Sequence, residues 1–337
     1  MPQRIHNCFS LRPANFVSEF RILHYPVREV APYINWIYYF HAWGMEPRFA
    51  TIANVHDCPS CRASWIASFT AEEQAKAREA MKLYDEAFGL LRQWADEPMC
   101  HTIFLLADAY SEGDDIIVAN RVRIPFLRQQ HVGKLGYTLC LSDFIKKEDD
   151  NADTKKNKKL PSNQESSSTQ PTSADIANTI GLFATTVSHS KSSQLSTFNF
   201  QLSTLTDRLA EATAEKMHEE VRKYYWGYAK DENLTMRELH EERFQGIRPA
   251  VGYPSLPDQS INFLIDELLH LSDIGITLSE NGAMSPHGSV SGFMFAHPKA
   301  HYFSVGNISE EQLCDYARRR HIPLDQVKKF LANIINN

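Results

Sequence analysis

Apolar positions recur at helical spacing in several stretches of the chain. Ala77, Met81, Tyr84, Phe88 and Leu91 follow one another at intervals of 4, 3, 4 and 3 residues, which is one face of a helix. Thr70 and Glu73, just ahead of them, have capping-box spacing. A second helix is predicted over 205–225, with Leu209, Thr213, Met217, Val221 and Tyr224 on one side. Another capping box, Thr235 and Glu238, opens a short helix towards Phe244. Ile261, Leu264, Ile265, Leu268 and Leu271 mark a fourth, which stops at Gly275. Ser309 and Gln312 start a fifth carrying Leu313 and Tyr316, and Pro323 separates it from a last helix with Val327, Phe330, Leu331 and Ile334. Strands are predicted at 103–110 and 115–119, joined through the turn-like Ser111-Glu112-Gly113-Asp114. Further strands are predicted at 137–144, 180–187, 290–297 and 302–305. Strands and helices do not alternate regularly, which argues against a doubly wound parallel sheet and for an α+β fold with an antiparallel sheet.

Composition adds boundaries and exclusions. Residues 146–174 contain no aromatic side chain and mix lysines with acids, so they cannot bury enough apolar surface to offset their ordering entropy. They read as a flexible insertion in a single domain spanning 1–337. A softer boundary lies at 188–201, rich in Ser, Thr and Gln. The net charge of −6 gives no basic surplus of the kind nucleic-acid binders carry. No apolar run reaches membrane-spanning length, and the N-terminus has no signal-like apolar core. A cytoplasmic protein with six reduced cysteines is the expectation.

Familiar nucleotide motifs are absent: no G-x-G-x-G and no phosphate-cradling loop occur among the 14 glycines. His56-Asp57-Cys58-Pro59-Ser60-Cys61 holds a lone C-x-x-C. A structural zinc site needs four Cys or His ligands, and no second pair follows at finger spacing. The segment therefore reads as an ordinary loop with no metal ligand assigned, unless the fold brings another His or Cys near. Residues 245–254, QGIRPAVGYP, are more informative. Pro249 and Pro254 hold the chain extended, and Gly252 permits close backbone approach to a ligand. Arg248 offers a planar fork for a carboxylate, and Tyr253 a surface for a cation or flat ring. A plain Pro-rich connection between helices is the alternative.

The same segment resembles the R-x-x-x-G-Y-P motif of the activation domain of cobalamin-dependent methionine synthase. The likeness extends in one order over about residues 30–325. It includes Tyr33-Ile34-Asn35-Trp36, Gly113-Asp114-Asp115-Ile116, Leu127-Arg128-Gln129-Gln130 and Leu141-Ser142-Asp143-Phe144. Residues 210–228 with Trp226-Gly227-Tyr228, then Asn233-Leu234 and Glu238-Leu239, are similar to the family's long helix and its successor. Val290-Ser291-Gly292, His297-Pro298 and Tyr302 follow its S-V-S-G-x-x-x-x-H-P-x-x-x-Y pattern, and Asp315-Tyr316-Ala317 with Arg319 its terminal helix. Two positions depart. Asn35 stands where the family usually has a ligand-contacting Asp, and Ser285 replaces an aromatic in A-M-W-P. Residues 45–70 look like a local addition.

The resemblance implies a C-shaped α+β domain with an antiparallel sheet and flanking helices. It implies S-adenosylmethionine as ligand, with Arg248 on its carboxylate and Ala250, Gly252 and Tyr253 supplying main-chain contacts. Tyr302 would lie near from a neighbouring strand, and Asn35, Glu211 and Glu242 match further site positions. Solvated helix faces are the plain alternative for the two glutamates. The implied chemistry is reductive methylation: one electron from a flavodoxin-like donor, then methyl transfer to cobalt. The nucleophile is the metal and the leaving group a neutral thioether, so no catalytic acid or base is expected. No cobalamin signature H-x-D-x-x-G is present; cobalamin is expected on a partner methionine synthase lacking its own activation domain. Two other readings stay open: a docking or regulatory partner that no longer uses S-adenosylmethionine, and a zinc or redox protein built on Cys58 and Cys61.

Overall fold

The computed structural model describes residues 19–132, 136–147, 176–188 and 200–335. On the N-terminal side β1 (Glu19–Tyr25) is followed by α1 (Val27–Val30), α2 (Trp36–Ala42), α3 (Pro59–Ala67) and α4 (Gln74–Gln93). Next come β2 (Cys100–Glu112), β3 (Asp115–Val118), β4 (Val122–Pro125) and β5 (Thr179–Val187). Then follow α5 (Phe200–Glu220), α6 (Met236–His240), α7 (Asn262–Leu269), β6 (Thr277–Leu278), β7 (Met284–Ser285) and β8 (Ser289–Met294). Helices α8 (Glu310–Arg320) and α9 (Leu324–Phe330) complete the chain.

The sheet runs β4-β3-β2-β5-β8, all antiparallel, with β1 also on β2. The long β2 makes this possible. Its first half, residues 100–106, pairs with β1, and its last four residues pair with β3. Ala109 N–H donates to Asn178 on the β5 side while Ala119 N–H donates to Asp108, so β1 and β3 follow one another along the same edge of β2. Gly113, at φ +60, supplies the hairpin turn between β2 and β3.

Both faces of the sheet are covered. Phe104, Leu106, Phe183, Val187, Val290 and Met294 lie on the face covered by α5. The alternate residues Ile103, Leu105, Leu182, Ala184, Phe293 and Phe295 pack under the β3–β4 hairpin and α7. Double coverage explains why β2 and β5 are nearly continuous apolar runs and not half-polar ones. Packing of the hairpin onto the face of its own sheet makes the sheet curl. A smaller core joins Leu313, Tyr316, Val327 and Leu331 to Leu127 and Val305.

The α+β antiparallel expectation holds, as do the helices predicted at 77–91, 205–225, 235–244, 261–271 and 309 onward, with shifted ends. Helix α7 stops at His270, which is left-handed at φ 58, and a 3-10 turn, Leu271–Ile274, carries the chain to Gly275. Two predicted strands are corrected. Residues 137–144 end in a 3-10 turn, Leu141–Phe144, because the Asp143 carboxylate accepts the Cys140 N–H at 2.8 Å and closes the backbone. Residues 302–305 lie beside 254–256 without a ladder; Phe303 N–H is taken by the Ser255 hydroxyl at 3.2 Å. Most of the predicted 146–174 insertion and of 188–201 falls outside the described residues. Lys146 is anchored, accepting the Ser111 N–H at 2.9 Å. Among the described residues no helix is long and apolar enough to cross a membrane.

Several of the polar motifs named above turn out to be braces. Arg128 forks onto Asp143 at 2.8 and 2.7 Å and reaches Asp114 at 2.8 Å. Arg319 joins the buried Asp115 to Asp315. These pairs clamp the hairpin between the 3-10 turn and α8.

His24 and His101 oppose each other on β1 and β2, Nδ1 to Nδ1 2.7 Å apart, and His101 Nε2 meets the Ser188 hydroxyl at 2.6 Å. Burial, then the nearby His24, pushes His101 down from 6.5 to about 4. The unfolded chain therefore binds more protons than the folded one between those values, and stability falls as pH drops through that window. Denaturant midpoints should decline from pH 6.5 to 4 less steeply in His101→Gln than in wild type. Equal slopes would show that the pair carries no part of the acid sensitivity.

Candidate functional site

Residues 247–251 lie along β8 as an extra segment. Ile247 exchanges both backbone hydrogen bonds with Phe295 at 2.9 Å, Phe293 N–H donates to Pro249 at 3.1 Å, and Val251 N–H to Ser291 at 2.9 Å. Pro249 lacks an N–H, so the ladder stays incomplete. Such proximity requires Gly292. A Cβ there would lie 2.1 Å from the Pro249 oxygen and 2.9 Å from the Ala250 Cα. Gly246, at φ +87, is equally confined by the Phe295 carbonyl.

Between this segment and α5 opens a cleft of about 560 Å³, a size usual for small-molecule sites. Helix α5 supplies Arg208, Glu211 and Glu215 to its wall, which the 3, 4 spacing puts on one stripe. Opposite stand Arg248, Ala250 and Tyr253. Tyr33, Asn35 and Tyr38 come from around the start of α2, His240 and Glu242 from the end of α6, and Tyr302 from the loop after β8.

Arg248 is the buried centre, only 7% exposed. Its guanidinium pairs with Glu215 and lies 5.4 Å from the centre of the Phe183 ring. Its N–H donates to the Tyr302 hydroxyl at 2.9 Å. Burial opposes the charge, but Glu215 and other neighbouring groups more than offset it, so Arg248 is held above its ordinary value. The pair leaves two buried polar atoms without a hydrogen-bond partner, Arg248 Nε and Glu215 Oε2. Tyr253 donates from its hydroxyl to Glu211 at 2.8 Å. Glu242 adopts a left-handed backbone at φ 55, which a non-glycine residue rarely accepts. Burial, then the neighbouring Glu215, raises its carboxyl above the usual carboxylate range, against the pull of Arg248.

The sequence-predicted residues Arg248, Ala250, Tyr253, Tyr302, Asn35, Glu211 and Glu242 all line this cleft. Glu211 is half-buried on α5, whereas Glu242 follows the end of α6 and stays exposed to solvent while lining the cleft. Gly252 is different. It does not line the cleft, its N–H is committed to Leu256 at 2.8 Å, and a Cβ would meet nothing within 4 Å. Its requirement is the φ of +88 in the turn, not room for a close approach. Tyr302 arrives on a loop and not a strand. Asn35 has a structural task besides: its side chain accepts the Ile37 N–H at 3.1 Å and caps α2. Ser285, the other departure, is absent from the cleft wall and pairs with Thr277 in the β6–β7 ribbon. Glu215, Arg208, Tyr33, Tyr38 and His240 were not foreseen. The polar stripe of α5 carries the signal for the first two.

An α+β fold with a mixed-charge, half-enclosed cleft beside its sheet defines a small-molecule-binding domain. The chain matches the family described as vitamin B12 dependent methionine synthase, activation domain, over residues 26–321, and it belongs to that family. It is also similar to a solved structure described as the MetH reactivation domain bound to AdoHcy. That match has 29% identity and a TM-score of 0.73, and covers 95% of this chain and 91% of that one.

The close approach at Gly292 predicts a cost for a single methyl. Gly292→Ala should lower unfolding free energy by at least the about 1–3 kcal/mol typical of overpacking. An unchanged denaturation midpoint would mean that the segment is not held on β8.

Proposed function

We propose that the cleft binds S-adenosylmethionine and presents its methyl group to cobalamin held by a partner methionine synthase. The chain would thereby reactivate that enzyme in trans. The carrying observation is the buried Arg248–Glu215 pair, with one donor and one acceptor left over, Arg248 Nε and Glu215 Oε2. That combination complements the carboxylate and ammonium of an α-amino acid. Family membership and the AdoHcy bound to a similar domain support the same reading.

Charge supports it further. The wall carries Glu211, Glu215 and Glu242 against Arg208 and Arg248. One excess carboxylate suits a ligand whose ammonium, sulfonium and carboxylate sum to one positive charge. Arg248 orients the amino-acid end, and the Tyr253–Glu211 pair offers further polar contacts from the same cleft wall. Cobalamin, when presented by the partner, supplies the methyl-accepting metal, and a flavodoxin-like donor supplies the electron. The protein's part is alignment, which turns a two-body encounter into an oriented one. No side chain needs to move a proton. The departures at Asn35 and Ser285 do not favour a ligand-free docking role: Asn35 still faces the cleft, and Ser285 is not in its wall.

Calorimetry with S-adenosylmethionine tests the ligand. Wild type should bind, and Arg248→Ala should lose about 1.5–3 kcal/mol, the worth of a charge-assisted hydrogen bond. That is a roughly 10- to 150-fold weaker Kd. No heat at millimolar ligand would end the proposal.

A pH series adds a sign. Ionised Glu242 favours a cationic ligand, and its carboxyl protonates at higher pH than an ordinary glutamate. Affinity should therefore fall on acidification sooner than free carboxylates would dictate, and Glu242→Gln should flatten the profile. A wild-type profile flat down to the ordinary carboxylate range would contradict this role.

Action in trans is tested by reconstitution. A cob(II)alamin-loaded methionine synthase, an electron donor and S-adenosylmethionine should yield methylcobalamin faster with this chain than without it. Equal rates would refute the role in trans while leaving ligand binding intact.

A further inference from the structure

His56, Cys58 and Cys61 converge at the start of α3, away from the cleft. One ring nitrogen and the two Sγ atoms all lie within 4.8 Å of one another, and both thiols are free. Tetrahedral zinc with these donors has ligand–ligand edges of roughly 3.5–3.8 Å. Small side-chain rotations therefore close the set.

The scaffold holds these groups in place. Cys58 N–H donates to the His56 carbonyl at 2.8 Å, which tightens the His-x-Cys turn. Cys58 is the N-cap of α3, its Sγ accepts the Cys61 N–H at 3.3 Å, and Pro59 occupies the first turn without an N–H to leave unsatisfied. Arg62 then fixes the assembly to α4. It makes two 2.6 Å hydrogen bonds to Asp85 and a 3.0 Å contact with Asp57, the residue between His56 and Cys58. The donors are thus anchored by a helix start and a forked ion pair, yet remain at the surface.

We propose that His56, Cys58 and Cys61 form a three-ligand site for a thiophilic cation, zinc(II) in the reduced chain, with its fourth position open to solvent. Two thiolates and an imidazole select zinc over magnesium or calcium, which take oxygen donors. Both cysteines bind as thiolates, any proton still on a thiol going to solvent, while the imidazole binds neutral. No oxidant or reductant enters. The third donor, His56, stands two residues upstream of the first cysteine, in an H-x-C-x-x-C arrangement, and the fourth position needs no protein ligand.

The test uses the full, reduced chain with Zn(II) and Co(II) as probes. After equilibration with micromolar Zn(II) and gel filtration, wild type should retain about one zinc per chain. Co(II) should give thiolate-to-metal charge transfer and tetrahedral d–d bands. Cys58→Ser/Cys61→Ser should lose both signals while its metal-free thermal midpoint stays with wild type, since the side chains are not in the core. His56→Ala should keep charge transfer but bind Co(II) more weakly by at least the roughly tenfold that losing an outer-shell partner costs. Absence of retained zinc and of cobalt bands in wild type would overturn the proposal. So would equal retention by the double-cysteine variant. Isolation of a Cys58–Cys61 disulfide from a chain that takes up no Co(II) once reduced would make the pair a redox couple instead.

Discussion

Everything in the cleft depends on one close approach of backbone to backbone. Gly292 lets the segment from Ile247 to Val251 lie against β8 at a separation no side chain would permit. That contact places Arg248 over Phe183 and against Glu215, and it brings the Arg248 N–H to the Tyr302 hydroxyl. The prolines suit this arrangement because the segment sits at the sheet margin, where a missing donor costs little. The wall of the site is therefore an extension of the main sheet and inherits its rigidity.

Helix α5 meets this wall with an unusual concentration of buried charge. Arg222 is fully buried at its C-terminal end, forked onto Glu232 at 3.0 and 2.6 Å and stacked 4.1 Å from the centre of the Phe244 ring. There the helix widens into a π-type turn, Val221–Tyr225, in which Trp226 N–H reaches back to Val221 at 2.8 Å. His218 packs edge-on to the same ring, 5.0 Å between centroids. Burial, then Arg222 and Arg248, drives its pKa far down and keeps it neutral. The two guanidiniums nearby each have their own carboxylate partner, Glu232 for Arg222 and Glu215 for Arg248. The glutamates of α5 thus serve both the helix–sheet junction and the cleft.

Much of this architecture was readable in the sequence where one periodicity dominated. The apolar stripe of α4 and the near-continuous runs of β2 and β5 announced their states, and the Thr235 and Glu238 capping box is present as expected, with the Thr235 N–H 2.9 Å from the Glu238 carboxylate. The strand β1 was not readable, because its residues are half-exposed on both faces and show no alternation. Residues 137–144 and 302–305 misled for another reason. Both carry apolar residues, but the Asp143 and Ser255 side chains take backbone N–H groups of these segments, which local pattern does not reveal. Seven site residues followed from motif resemblance, whereas Glu215 and His240 needed the fold to place them beside Arg248.

Asn35 joins two tasks that respond differently to substitution. As N-cap of α2 it needs only a side-chain oxygen to accept the Ile37 N–H, and asparagine and aspartate serve that purpose about equally. As part of the cleft it contributes a dipole where aspartate would contribute a full negative charge. Exchange between the two therefore retunes the electrostatics of the mouth by one unit while leaving the start of α2 intact. Position 35 can therefore change the charge of the cleft wall without the fold registering it.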